Sequence, residues 1–478
     1  MLTLPDPAGG GNSPFDPNLT PYHVVMTAPP PTVPADPPIW KRVLTLALPT
    51  LVQQGLLFFI QQYDQHLARH FSPEHQAALT TANYLYWFVS SYSVVVSAGA
   101  TALVGRFVGA NDWPLANRAA AQAVLLAVGF GLLGTVVALL GLPALMAGIQ
   151  LQGGSPDIAV RYLTPLMLAL TLQMVQTGGI ACLIGAGDTK IGLWVLAGVA
   201  AVNVPVAWAL SGGGEPGKGF GFTGIALGTA VSHSAGGVAV LVVLFRGRAG
   251  LKLTLPRLWP DRDLLYRLLR VSVPAGFDAL SVACCQLFFL GIVNGLGAEQ
   301  AAAHGIAIRW EALGYLAGGA FAPTAMAVVS QSLGQRRPDR AARGGWAAFG
   351  MAGGVMTAMG VVFFTLAEPM CGWMSPENPR VAGMAVDALR LIAFAMPAVA
   401  AWIIFTAALR AAGDTRFPVV ITWVGFVGVR IPLAYMLTRP SLGLGLQGAW
   451  VAMVVDLYVR GALFVWRFAG GRWQAIKV

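Results

Sequence analysis

Asp64 stands in LLFFIQQYDQHLA, at the end of a run of apolar residues. An ionisable group inside such a span is costly enough to be a functional candidate by default. Burial disfavours the charged form of a carboxyl, so this one suits reversible protonation. His66 and Arg69 follow closely, and the competing reading is an interfacial aspartate facing water. Asn203, in VNVPVAWAL, lies deep in another apolar run. Gln61, Gln62 and Asn83 add polarity near Asp64, or else join helices by hydrogen bonds. In the second half of the chain, Asp278, Glu311 and Arg430 are candidates for groups lining a substrate cleft. Asp456 and Arg460, spaced i, i+4, share one helix face and read as a structural ion pair.

Other chemistry is poorly supported. The six histidines (His23, His66, His70, His75, His233, His304) do not group with Asp or Ser as an embedded enzyme would need. His66, His70 and His75 have metal-like spacing, yet a solvated loop explains them better. Cys182, Cys284, Cys285 and Cys371 form neither a CxxC nor a Cys/His cluster, so no metal, cofactor or disulfide framework is expected.

The elements that hold these groups must be membrane helices. Of 478 residues, 56% are hydrophobic and only 10% charged, against roughly 25% charged in soluble domains. A globule of this composition could not cover itself with polar surface. The net charge of +10 would suggest nucleic acid, but the basic residues are spread between apolar segments rather than gathered in a domain. A hydrocarbon core of about 30 Å needs about 20 apolar residues per helix. By that measure there are twelve segments, near 43–68, 77–105, 119–147, 159–183, 190–211 and 222–245, then 264–295, 301–332, 343–367, 385–409, 417–437 and 446–467. With the N-terminus in the cytoplasm, more than two thirds of the 30 Lys and Arg fall on that side, as cytoplasmic loops favour. Both termini are therefore expected inside, at the plasma (inner) membrane. Residues 1–40 are rich in proline and read as a disordered cytoplasmic tail. An N-lobe over 41–246, a basic cytoplasmic linker over 247–263, a C-lobe over 264–467 and a cytoplasmic tail over 468–478 follow.

The two sets of six segments repeat. Pro49 matches Pro274 and Gly109 matches Gly334, each 225 residues on. GAGDT ending at Thr189 matches AAGDT ending at Thr415. VNVPVAWAL matches VRIPLAYML, pairing Asn203 with Arg430, and Gly224 and Ser232 match Gly448 and Asp456. Six helices is an even number, so both repeats enter the membrane from the same side and are parallel, which suits a transporter with a central cleft. The fold class is an all-α polytopic membrane protein of twelve helices in two six-helix repeats about a V-shaped cleft. Asp64 and Asn203 are expected on one wall, Glu311 and Arg430 on the other.

From about residue 43 onward the chain resembles the MATE (multidrug and toxic compound extrusion) transporters, in their DinF-like bacterial branch. The carriers are YDQHLARHF after the first-helix proline, LVGRFVGANDWPLANRA, LIGAGDT, AAAHGIAIRWEALGY, VSQSLGQRRPDRA, LRAAGDT, VRIPLAYML and QGAWVAMVVDLYVRG. The resemblance implies export of amphipathic, often cationic organic molecules against inward flow of H⁺ or Na⁺. It also implies that Asp64 and Asn203 are ion-coupling residues. A further polar residue that many members carry one turn after the asparagine is Ala207 here, and the seventh-helix acid of sodium-coupled members is Val282. Both departures favour H⁺ over Na⁺. A monomer is expected, with a small organic substrate and membrane lipid as partners and no nucleic acid. The alternative is a flippase for a lipid-linked saccharide, which would favour a larger, more cationic cavity.

Overall fold

The computed structural model describes residues 38–476 except 73–74, 76–77, 80–81, 83–85, 89–90, 150–155, 214, 216–217 and 440. The proline-rich tail lies almost wholly outside the described residues, as does Asn83. The first half contains α1 (Ile39–Ala68), α2 (Val94–Gly109), α3 (Trp113–Ile149), α4 (Pro156–Ala186), α5 (Thr189–Leu210) and α6 (Phe222–Arg246). The second contains α7 (Arg262–Asn294), α8 (Ala298–Gly334), α9 (Pro338–Thr365), α10 (Pro379–Ala412), α11 (Arg416–Leu437) and α12 (Gly445–Ala469). Eleven of these are long and apolar enough to cross a membrane, and α2 is the shorter twelfth. Helices are what lipid demands, since each backbone group must find its partner within the segment. The outward faces carry apolar side chains such as Leu140, Trp194 and Phe394, whereas Asp64, Asn203, Glu311, Arg430 and Asp456 are buried.

Each repeat ends its fourth helix in the same way. Gly187 and Gly413 adopt φ of +92° and +90°, the left-handed conformation that ends a helix at little cost only for glycine. Asp188 then accepts from the backbone amides of Lys190 and Ile191, capping α5. Both aspartates of the GDT motifs pair with an arginine near the end of the last helix in their repeat: Arg248 reaches Asp188 at 3.1 Å and Arg467 reaches Asp414 at 2.8 Å. Matched glycines also let helices touch. A Cβ on Gly224 would lie 2.2 Å from the Leu210 carbonyl oxygen, and one on Gly448 2.6 Å from that of Leu437. The fifth and sixth helices of each half are joined by the same close approach.

The halves meet along α1, α2, α7 and α8. Here the matched pair is reciprocal: a Cβ on Gly109 would lie 2.1 Å from the Gln331 carbonyl oxygen, and one on Gly334 2.1 Å from that of Arg106. Hydrogen bonds reinforce this seam. Thr50 donates to the Ala320 carbonyl at 2.8 Å, and Gln331 donates to that of Gly185 at 2.7 Å while accepting from Arg42. Arg106 donates to the carbonyls of Ala412 and Ile476, at 3.2 and 3.1 Å. Contacts this close make the seam a tight closure at the end where α2 and α8 terminate.

Candidate functional site

Beyond the seam, a cavity of about 750 Å³ lies between the halves. It follows α1 from Gln53 to Gln65, about 18 Å of helix axis. Its two walls differ in chemistry. The first half supplies most of the lining: apolar side chains such as Leu57, Phe58, Ile60 and Ile180, and among them glutamines at 53, 54, 61, 65, 173 and 176, together with Tyr86, Asp64 and His233. The second half supplies Ala312, Leu316, Ala322, Pro323, Met326 and Ala407, and one charged residue, Arg410. A largely apolar lining whose hydrogen-bonding groups, Arg410 apart, all come from the first half fits an amphipathic small molecule.

Asp64 sits in the polar wall. Thr229 of α6 donates to its Oδ2 at 2.7 Å, while Oδ1 is buried with no hydrogen-bond partner among the described residues. Asn203 lies just behind, donating to Thr229 at 3.1 Å and to Ser232 at 3.5 Å, and its own Oδ1 is likewise unpartnered. No Lys or Arg pairs with Asp64 among the described residues. A buried carboxylate so placed carries an uncompensated charge, which is expensive in an apolar site. A buried carboxylate oxygen without a donor is what a proton would satisfy.

The polarity absent at Ala207 therefore comes from α6, by way of Thr229, and Gln61 lies on the cavity wall separately. The small residue has a packing cause. A Cβ on Gly228 would stand 2.5 Å from the Ala207 Cα, so α5 and α6 touch there and leave no room for a longer side chain. Thr229 was missed because a lone threonine in an apolar helix ordinarily bonds its own backbone. Its signal was the spacing Thr229, Ser232, His233, a polar stripe on one face of α6. Gln173 and Gln176 of α4 show the same spacing and join the wall through Tyr86 at 2.6 Å and His233 at 3.1 Å.

The opposite wall differs from expectation. Glu311, Arg430 and Asp278 do not line the cavity. α8 presents Ala312 and Leu316 to it, while Glu311 turns into the second half and accepts a hydrogen bond from Tyr315 at 3.0 Å. Arg430 is drawn the same way by Asp456, at 2.7 Å, with Gln286 accepting at 3.0 Å. Arg460 also bonds Asp456, at 2.7 Å, so the i, i+4 pair is present but belongs to a buried triad. Gly425 makes space for it, since a Cβ there would lie 2.2 Å from Asp456 Oδ1. At this level α11 widens into a π-turn over Val424–Arg430. Asp278 is buried behind Arg410 and bonded to it at 2.5 Å. Among the described residues no three His, Cys, Asp or Glu side chains gather as a metal site.

Two six-helix repeats around a cavity of this kind define a polytopic membrane transporter rather than an enzyme. The sequence profile of the MatE family matches residues 49–209 and 274–436, beginning at the repeat-matched prolines, and the chain belongs to that family. A probable multidrug resistance protein NorM from Thermotoga maritima is 24% identical over 446 residues, covering 92% of this chain and 94% of that protein. The uncharacterized transporter YisQ of Bacillus subtilis is 22% identical over 438 residues, covering 90% and 94%. An outward-facing multidrug resistance MATE family transporter of the MOP superfamily superposes with a TM-score of 0.84 at 19% identity, covering 91% of this chain and 97% of that one. A MOP superfamily transporter from Pyrococcus furiosus, described as having a binding pocket of reversed polarity, gives 0.84 at 20% identity with the same coverages.

Proposed function

We propose that this transporter exports amphipathic organic compounds, cationic ones among them, in exchange for protons. The observation that carries this reading is Asp64, a carboxylate in the cavity wall with one hydroxyl donor and, among the described residues, one unpartnered oxygen and no Lys or Arg partner. A bound organic cation and a proton would each neutralise it, and the two compete for the same charge. Exchange follows if the carboxyl meets them on opposite sides of the membrane, which closing and reopening the seam would achieve. The multidrug resistance description of the T. maritima relative supports the substrate class. The orientation proposed places both termini in the cytoplasm of the plasma (inner) membrane, with a basic linker at 247–263 between lobes 41–246 and 264–467 of a monomer. A lipid-pyrophosphate flippase would need a cationic cavity; here Arg410 is the sole Lys or Arg among the described lining residues, and Asp278 offsets it.

The test is export from proteoliposomes under imposed gradients. Wild-type protein should move a fluorescent organic cation under a pH gradient, and Asp64→Asn should abolish this while eluting as a folded monomer. Transport on a Na⁺ gradient alone would refute proton exchange, as would full activity in Asp64→Asn.

A further inference from the structure

The second half's cavity wall is apolar apart from Arg410, and the repeat shows that this arginine is not a packing necessity. Its equivalent in the first half is Ile184, in LIGAGDT, and the equivalent of Asp278 is Gln53. Both counterparts line the same cavity without forming an ion pair. The fold thus tolerates an uncharged pair at this depth, and the second half has placed a charged one there. Asp278, on α7, holds Nη2 at 2.5 Å from behind, and Nε is buried. No hydrogen bond occupies Nη1 among the described residues. A guanidinium carries five donors in a rigid fork, so one carboxylate can fix it while another edge stays available to a second anion. The levels of Gln53 and Asp64 are separated by 11 residues of α1, about 16 Å. Since Gln53 and Asp278 are matched in depth, the cavity has a carboxylate toward one end and a guanidinium toward the other.

We propose that Arg410 is a specificity-determining residue that seats an anionic group of the substrate, a carboxylate or sulfonate, with Asp278 as its positioning residue. The preferred substrates are then elongated amphipathic zwitterions, cationic group toward Asp64 and anionic group toward Arg410, their apolar face on the Ala312–Leu316 side. This rests on the cavity being the substrate site proposed above.

The experiment compares two probes of one ring system in proteoliposomes: rhodamine 6G, a cationic ester, and its de-esterified zwitterionic acid. The readout is the ratio of kcat/KM for the acid to that for the ester. Arg410→Gln should lower this ratio about tenfold or more, the scale of one charge-assisted hydrogen bond. Arg410→Lys should restore part of it. The double variant Arg410→Gln with Asp278→Asn leaves no unpaired carboxylate behind, so it separates the effect from misfolding, and it should show the same fall. An unchanged ratio in the double variant would overturn the assignment, as would wild-type protein that transports the ester but neither binds nor moves the acid. Transport of neither probe by wild-type protein would overturn the cavity reading and this proposal with it.

Discussion

Gly109→Ala should shift the transporter away from the closed seam. The added Cβ would sit 2.1 Å from the Gln331 carbonyl oxygen, where ordinary contact begins near 3.4 Å. Relief requires α2 and α8 to part by roughly 1.3 Å, the difference of those distances. The opposing atoms of Gln331 belong to helix backbone, so no flexible side chain can absorb the strain. Overpacking of this kind costs about 1–3 kcal/mol. The penalty falls only on the state in which the seam is closed, so the equilibrium between closed and opened seam should move by a factor of about 5 to 150. Spin labels at Asn111 and Arg337, flanking the seam, would report it by pulsed distance measurement. Wild-type protein should give predominantly the short distance, and the variant a substantial long component. Gly334→Ala should act in the same direction, because its contact with the Arg106 carbonyl is the reciprocal one. Unchanged distance distributions in both variants would refute the argument that these glycines govern closure.

Three other predictions concern single residues. Gly425→Ala places a Cβ 2.2 Å from Asp456 Oδ1 and should lower thermal stability in detergent, by an amount approaching the 3–5 kcal/mol of a broken buried ion pair. Thr229→Val removes the donor to Asp64 and the acceptor from Asn203 while keeping the volume. It should leave the protein folded but change the pH dependence of export, and an unaltered pH profile would show that the hydroxyl does not tune the carboxyl. Asp188→Ala removes the α5 cap and the partner of Arg248, and should cost about 1 kcal/mol, read as a small drop in unfolding temperature.

Much of the architecture was legible because length and repetition are one-dimensional signals. The segments expected from apolar runs agree with the helices to within a few residues, apart from α2, whose residues before Val94 are described only in part, and the starts of α3, α9 and α10, which come five or six residues earlier. The matched glycines mark real points of contact in both halves. Asp64 was found because a carboxylate in an apolar span is rare. Direction around a helix axis was not legible. Repeat matching gives a residue's depth, but successive residues differ by about 100° in facing. That rotation puts Ala312 on the cavity and Glu311 inside the second half. Arg430 belongs to the expected half but faces its interior rather than the cavity, because its strongest attraction, Asp456, lies 26 residues away on α12. Arg410 drew no attention in the sequence, standing in LRAAGDT beside the more prominent glycine and aspartate.

The buried triad gives the two halves unequal mechanical compliance. At matched depth, the second half binds α11 to α12 with Arg430 and Arg460 clasping one carboxylate. The first half ties α1, α5 and α6 there through Thr229 and Asn203, by hydroxyl and amide hydrogen bonds. Separating the former exposes charge to a low-dielectric interior, at a cost of several kcal/mol. Rearranging the latter exchanges hydrogen bonds worth about 1–3 kcal/mol each, the higher end for the bond to Asp64. On these energies the first half should bend more readily than the second.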